Sequence, residues 1–193
     1  MQDVFFFGYG SLVNRATHDY GTAHHATLPG WRRAWRHTAL RPVAFLTAER
    51  DPASRIAGLI AAVPGADWAA LDRREAAYLR HPVCDSVEHP LSPRPAVSVY
   101  AIPENRHAAP SDAFPVLLSY LDVVVQGYAR EYGAAGVADF FATTSGWEAP
   151  ILDDRADPIY PRHQRLTPAE RALTDDHLAR IGARIITTRP EGL

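Results

Sequence analysis

Val4–Phe7, followed at once by Gly8-Tyr9-Gly10-Ser11, constrains this chain more than any other stretch. A continuous apolar run that stops at glycines predicts a buried central strand. Two glycines and a serine within the next four residues predict a loop of unusual backbone freedom. One reading is a tight turn that lets the chain reverse. The other is a nest of consecutive backbone N–H groups, joined by the Ser11 hydroxyl, that suits a carboxylate or a developing oxyanion. Familiar glycine motifs do not fit. Val13 stands where a dinucleotide fingerprint needs its third glycine, and no phosphate-binding GK[ST] follows. A nucleophile elbow around Ser11 needs glycines where Tyr9 and Val13 stand.

With 193 residues, 47% of them hydrophobic, the chain is expected to form a single domain over 1–193. Its core is expected over 3–132, with a helical C-terminal extension over 133–193. A net charge of −2 without long runs of one sign argues against nucleic acid or a membrane as partner. All 20 Lys+Arg residues are arginine, which excludes a lysine nucleophile, a Schiff base and a P-loop lysine. The one cysteine, Cys84, excludes an intrachain disulfide and a Cys-rich zinc site, and is expected as a small core residue. His24 and His25 are adjacent and would face opposite ways on a strand, while His81, Cys84 and His89 match no zinc spacing. No metal and no cofactor are expected. Asp3 beside a short apolar run, without a basic lead-in, does not read as a signal peptide. No apolar stretch reaches the roughly 18 residues of a membrane span, so a cytoplasmic protein is expected.

Strands are expected over 26–38, 43–48, 56–63 and 96–102, with Trp31 and Trp35 in the core. Helices are expected over 66–79, 111–132, 136–144 and 167–182. Asp67 is placed to cap the first helix. Thr167, Pro168 and Glu170 form a capping-box pattern at the last. Residues 148–164 read as irregular. Asp153-Asp154-Arg155 and Arg162 there form either a solvated surface loop or a lid. Strands first, then helices, is an α+β order.

In the helix expected over 66–79, Trp68, Leu71, Tyr78 and Leu79 define an apolar stripe by three- and four-residue spacing. Glu75 falls in the middle of it. A carboxylate aimed inward is costly unless paired or hydrogen-bonded. Burial raises its pKa, which suits a general base or proton shuttle. A structural ion pair with an arginine from a neighbouring strand reads equally well.

A strand running into Tyr9-Gly10-Ser11-Leu12, and later a helix with Leu71-Asp72-Arg73-Arg74-Glu75, resembles the gamma-glutamylcyclotransferase superfamily of ChaC-type and AIG2-like proteins. LPGWRRAW at Leu28–Trp35 is similar to the G-[YW]-x-R segment of that family. IAGLIAAV and VSVYAI fit its strand pattern, so the likeness covers roughly 5–102. It implies a small, mostly closed mixed β-barrel flanked by helices, with the C-terminal helical segment as an addition. It also implies cofactor-free, intramolecular cyclisation of a small-molecule γ-glutamyl compound to 5-oxoproline, with release of an amine or amino acid. Glu75 would be the catalytic base. Tyr9, Gly10, Ser11 and Leu12 would bind the substrate, with Tyr78 and Tyr100 as wall residues. The region 37–51 departs from the H-R-G-T-P stretch of ChaC-type proteins, which leaves glutathione specificity open. A non-catalytic binding or regulatory member of the same fold is the alternative. A metal hydrolase built on the histidines is a weaker third reading.

Overall fold

Strand β1 (Val4–Gly8) runs through the middle of a six-stranded mixed sheet. The computed structural model describes residues 4–109 and 111–193, and Asp3, where the expected core begins, lies outside them. Next come β2 (Ala23–Thr38) and β3 (Arg41–Ala62), a long antiparallel hairpin. The runs expected over 43–48 and 56–63 are thus one strand. They join because the ladder to β2 resumes after a bulge, with Trp31 opposite Arg50 and Pro29 opposite Arg55. Residues 51–54 bulge out opposite Gly30, whose φ of 76° only glycine adopts freely, and Pro52 is accommodated in that bulge.

Helix α1 (Trp68–Arg74) is shorter than the 66–79 expected. Asp67 caps it as anticipated, its carboxylate accepting from the N–H groups of Ala69 and Ala70. The C-terminal end differs because the chain leaves for β4 (Leu79–Pro82), which pairs antiparallel with β5 (Ala96–Ala101). Leu79 is therefore 46% exposed and takes no part in an apolar stripe. Most of the proline-rich segment between β4 and β5 is loop, and Cys84 there is half-buried.

The helix expected from 111 starts later. Phe114 precedes Pro115 and so disfavours helix, and β6 (Val116–Leu117) intervenes. Helix α2 (Leu118–Ala142) then runs through both helices expected over 111–132 and 136–144, interrupted at Gly133 (φ 66°, ψ −166°). After it come β7 (Thr144–Ser145), β8 (Ile151–Leu152), α3 (Pro168–Arg180) and β9 (Ile185–Ile186). The capping box of Thr167 and Glu170 is formed.

Strand order in the large sheet is β4-β5-β1-β3-β2-β7, with β1 antiparallel to β3 and parallel to β5. β4 and β7 are its edges, so the sheet stays open where a mostly closed barrel was expected. The reason is that the two end strands carry only four and two residues and never meet. A small parallel sheet, β6-β8-β9, ties α2 to the C-terminal segment. The main core holds Phe5, Phe7, Trp31, Trp35, Leu59, Tyr128 and Phe140. Among the described residues no helix is long and apolar enough to cross a membrane.

Candidate active site

The glycine loop closes against the end of β1 as a single 3-10 turn, with Val13 N–H donating to the Gly10 carbonyl. Gly8 is required by packing, since a Cβ there would lie 2.7 Å from Leu12 Cβ. At Gly10 a Cβ would lie 2.7 Å from the Tyr120 hydroxyl. The far end of the loop is pinned to α2. Asn14, buried, donates to the Val123 carbonyl and the Gln126 side chain, both at 2.9 Å. Gly127 makes this approach possible, because a Cβ there would meet the Asn14 backbone at 2.8 Å.

Glu75 sits just past the last turn of α1, its N–H still bonded to the Leu71 carbonyl at 2.9 Å. Its position is the C-cap, not mid-helix, but its side chain does turn inward and is 18% exposed. The neighbouring Arg74 approaches it at 3.1 Å through Nε. Burial pushes the Glu75 carboxyl above its ordinary range, and the positive charges of Arg74 and Arg162 pull it partly back. Arg74 is itself largely buried, between Glu75 and the ring of Tyr20.

All seven residues singled out from the sequence line one cavity: Tyr9, Gly10, Ser11, Leu12, Glu75, Tyr78 and Tyr100. Phe7, Gly8, Leu46 and Tyr120 complete the wall. The cavity measures about 40 Å³, room for a few water-sized groups. Three of the tyrosines have already spent their hydroxyl protons inside the protein. Tyr9 donates to the Tyr100 carbonyl at 2.6 Å, Tyr78 to the Leu46 carbonyl at 2.9 Å, and Tyr100 to Asp72. Burial pushes all three phenols up, with the Glu75 charge acting in the same direction. They therefore present oxygen lone pairs, not donors, to whatever enters. The Tyr120 hydroxyl has no acceptor among the described residues and lies over the Gly10–Ser11 backbone.

Tyr120 and its surroundings were missed in the sequence. It comes from α2 and meets Tyr160 edge to face, with ring centroids 5.0 Å apart. Residues 153–160 are anchored by Asp154, which is 4% exposed. Its carboxylate accepts from Ser119 N–H at 2.7 Å, from the Ser119 hydroxyl, and from Ile159 N–H at 2.9 Å. A remote carboxylate thus satisfies the first turn of α2. Arg155 is likewise held, its guanidinium gripping Asp122 at 2.7 and 2.8 Å. The solvated-loop reading fails for Asp154 and Arg155. Tyr160, between Pro158 and Pro161, was a local signal for this segment, and a weak one.

No group of three or more metal-ligating side chains occurs among the described residues. No family model matches the sequence, and no curated protein matches it significantly. Solved structures do match. A human protein described as uncharacterized protein loc79017 aligns over 91% of this chain and 99% of its own, at 13% identity and a TM-score of 0.55. A structure named gamma-glutamyl cyclotransferase aligns over the same shares at 13% identity and a TM-score of 0.54. YkqA from Bacillus subtilis aligns over 76% of this chain and 57% of its own, at 17% identity and a TM-score of 0.53. The chain therefore has a gamma-glutamyl cyclotransferase-like α+β fold, resembling such cyclotransferases in architecture at low sequence identity.

Proposed function

We propose that this protein is a cofactor-free cyclotransferase acting on a small γ-glutamyl compound. One observation carries the reading: a buried carboxylate of raised pKa and a glycine loop share a cavity whose other polar groups are mostly spent. The reaction needs no external nucleophile. The substrate's α-ammonium gives a proton to Glu75, and the freed amine nitrogen attacks the γ-carbonyl carbon. Negative charge develops on the carbonyl oxygen. Glu75 returns the proton to the leaving nitrogen as the bond from that carbon to it breaks, and the ring nitrogen sheds its second proton through Glu75 to the departing amine, which leaves as an ammonium. The products are 5-oxoproline and a free amine or amino acid, and no water is consumed. A carboxylate of raised pKa suits a group that accepts and then returns a proton. The Gly10 and Leu12 N–H groups and the Tyr120 hydroxyl, which itself accepts from the Ser11 backbone, are the donors for the oxyanion or the α-carboxylate. Tyrosine lone pairs from Tyr9, Tyr78 and Tyr100 suit the ammonium side of the same ligand. Holding one molecule folded on itself is mainly an entropic task, which a rigid cavity performs.

The test is 5-oxoproline release, read by mass spectrometry, from a γ-glutamyl amino acid, a γ-glutamylamine and glutathione. Release from at least one is expected. Thermal stabilisation by these compounds without product would favour a binding protein on the same fold.

A further inference from the structure

Arg33 is 0% exposed and makes no ion pair among the described residues. A buried guanidinium is ordinarily matched by a carboxylate, so its neutral partners need a reason. Two of those partners, the Tyr9 carbonyl and the Tyr128 hydroxyl, meet at the backbone of Tyr9. Arg33 Nε donates to the Tyr9 carbonyl at 3.2 Å, Nη1 to Thr143 Oγ1 at 2.6 Å, and Nη2 to the Tyr128 hydroxyl at 2.6 Å and to the Ala57 carbonyl. The Tyr128 hydroxyl stands 2.9 Å from the Tyr9 carbonyl and 2.8 Å from that of Ala57, and its one proton serves either. Rings of Tyr128 and Phe140 cover the guanidinium at 4.8 and 5.3 Å.

A trans peptide points its C=O and N–H in opposite directions. With the Tyr9 carbonyl drawn to Arg33 and Tyr128, the N–H of Gly10 on the same peptide faces away from them. Gly10 lines the cavity. We infer that Arg33 and Tyr128 are positioning residues, which turn the Tyr9–Gly10 peptide so that its N–H serves the cavity as an anion donor. The unneutralised charge of Arg33 adds a positive field beneath the loop, felt at Tyr9 as a pull toward its anionic form. The loop is thereby set for an anion before any ligand arrives.

The inference rests on the proposed function for its ligand, an anionic γ-glutamyl head, and the probe is 5-oxoproline, that reaction's carboxylate-bearing product. Proton–nitrogen correlation spectra of the full chain are recorded as 5-oxoproline is added to wild type, Tyr128→Phe and Arg33→Lys. Tyr128→Phe keeps the ring packing and removes only the hydroxyl, with the bond it accepts from Arg33 and the one it donates to Tyr9 or Ala57, so it guards against a failure of Arg33→Lys to fold. The Gly10 amide signal of wild type is expected to move on saturation. Folded Tyr128→Phe is expected to bind about tenfold more weakly, the worth of one such hydrogen bond. Its turnover per folded molecule should fall in kcat by a similar factor, which a merely structural role would leave unchanged. A folded Tyr128→Phe that binds and turns over like wild type overturns the inference, as does a Gly10 amide that never responds. A responding Gly10 amide in a protein that releases no 5-oxoproline supports the anion site and removes the catalytic reading instead.

Discussion

Glu75 and Asp122 are both carboxylates drawn into the protein beside an arginine, and they are held in opposite ways. Burial pushes both carboxyls above their ordinary range, and arginine pulls both back. Asp122 meets Arg155 through two parallel bonds of 2.7 and 2.8 Å, and Arg155 also reaches Asp175 at 2.8 Å. That fork joins α2, the 153–160 segment and α3, and leaves Asp122 no open side. Among the described residues Glu75 is paired only with its own sequence neighbour, Arg74, at 3.1 Å, and it faces a cavity. Paired geometry marks a joint between elements, whereas a half-paired carboxylate against empty space is available for chemistry.

The difference can be broken at either end. Asp122→Ala leaves Arg155 buried without its main partner, so unfolding free energy should fall by about 3–5 kcal/mol in denaturant titration. An apolar pair, Asp122→Leu with Arg155→Met, should recover most of that loss, because a buried ion pair contributes little over a packed hydrophobic pair. No apolar residue at Glu75 should recover turnover. Gly127→Ala pushes a methyl into the Asn14 backbone, and overpacking of this kind should cost about 1–3 kcal/mol. Because Asn14 ends the glycine loop, turnover per folded molecule should fall with it. Thr167→Ala breaks the α3 capping box, should cost about 1 kcal/mol, and should leave turnover unchanged.

pH reads the Glu75 centre directly. The folded pKa of Glu75 lies above its unfolded value, so the native state holds that proton more tightly. Protonated Glu75 is accommodated below the usual glutamate range, and the ionised form weakens the fold as pH rises through the raised value. Glu75→Gln should therefore melt higher than wild type at neutral pH, with the gap closing in acid, a trade of stability for activity. Arg162→Ala removes a charge that lowers the Glu75 pKa, so the acidic limb of the kcat/KM profile should move to higher pH without loss of the maximum.

Legibility in the sequence followed the range of the contacts involved. Local rules were readable: the apolar run of β1, the Asp67 cap and the capping box at Thr167 all form as expected. The loop residues and Glu75 were readable as oddities, since glycines and an inward carboxylate break local patterns. Remote partners were not. Asp154 looks like any loop aspartate until Ser119, 35 positions earlier, is brought to it. Arg33 matches the arginine of the G-[YW]-x-R segment, yet its role was hidden, because its partners Tyr9, Ala57, Tyr128 and Thr143 come from four other parts of the chain. The early end of α1 was hidden for the same reason: pairing of β4 with β5 overrides a helical stripe that continues in the sequence.

The central claim is that Glu75 moves the proton for ring closure in the cavity formed with the Tyr9–Leu12 loop. Its most direct test is 5-oxoproline release by wild type and by Glu75→Gln, side by side, on whichever γ-glutamyl compound wild type consumes. Wild type should release 5-oxoproline steadily, and a Glu75→Gln protein that remains folded should lose at least about 10²-fold. Full turnover by Glu75→Gln would contradict the central claim.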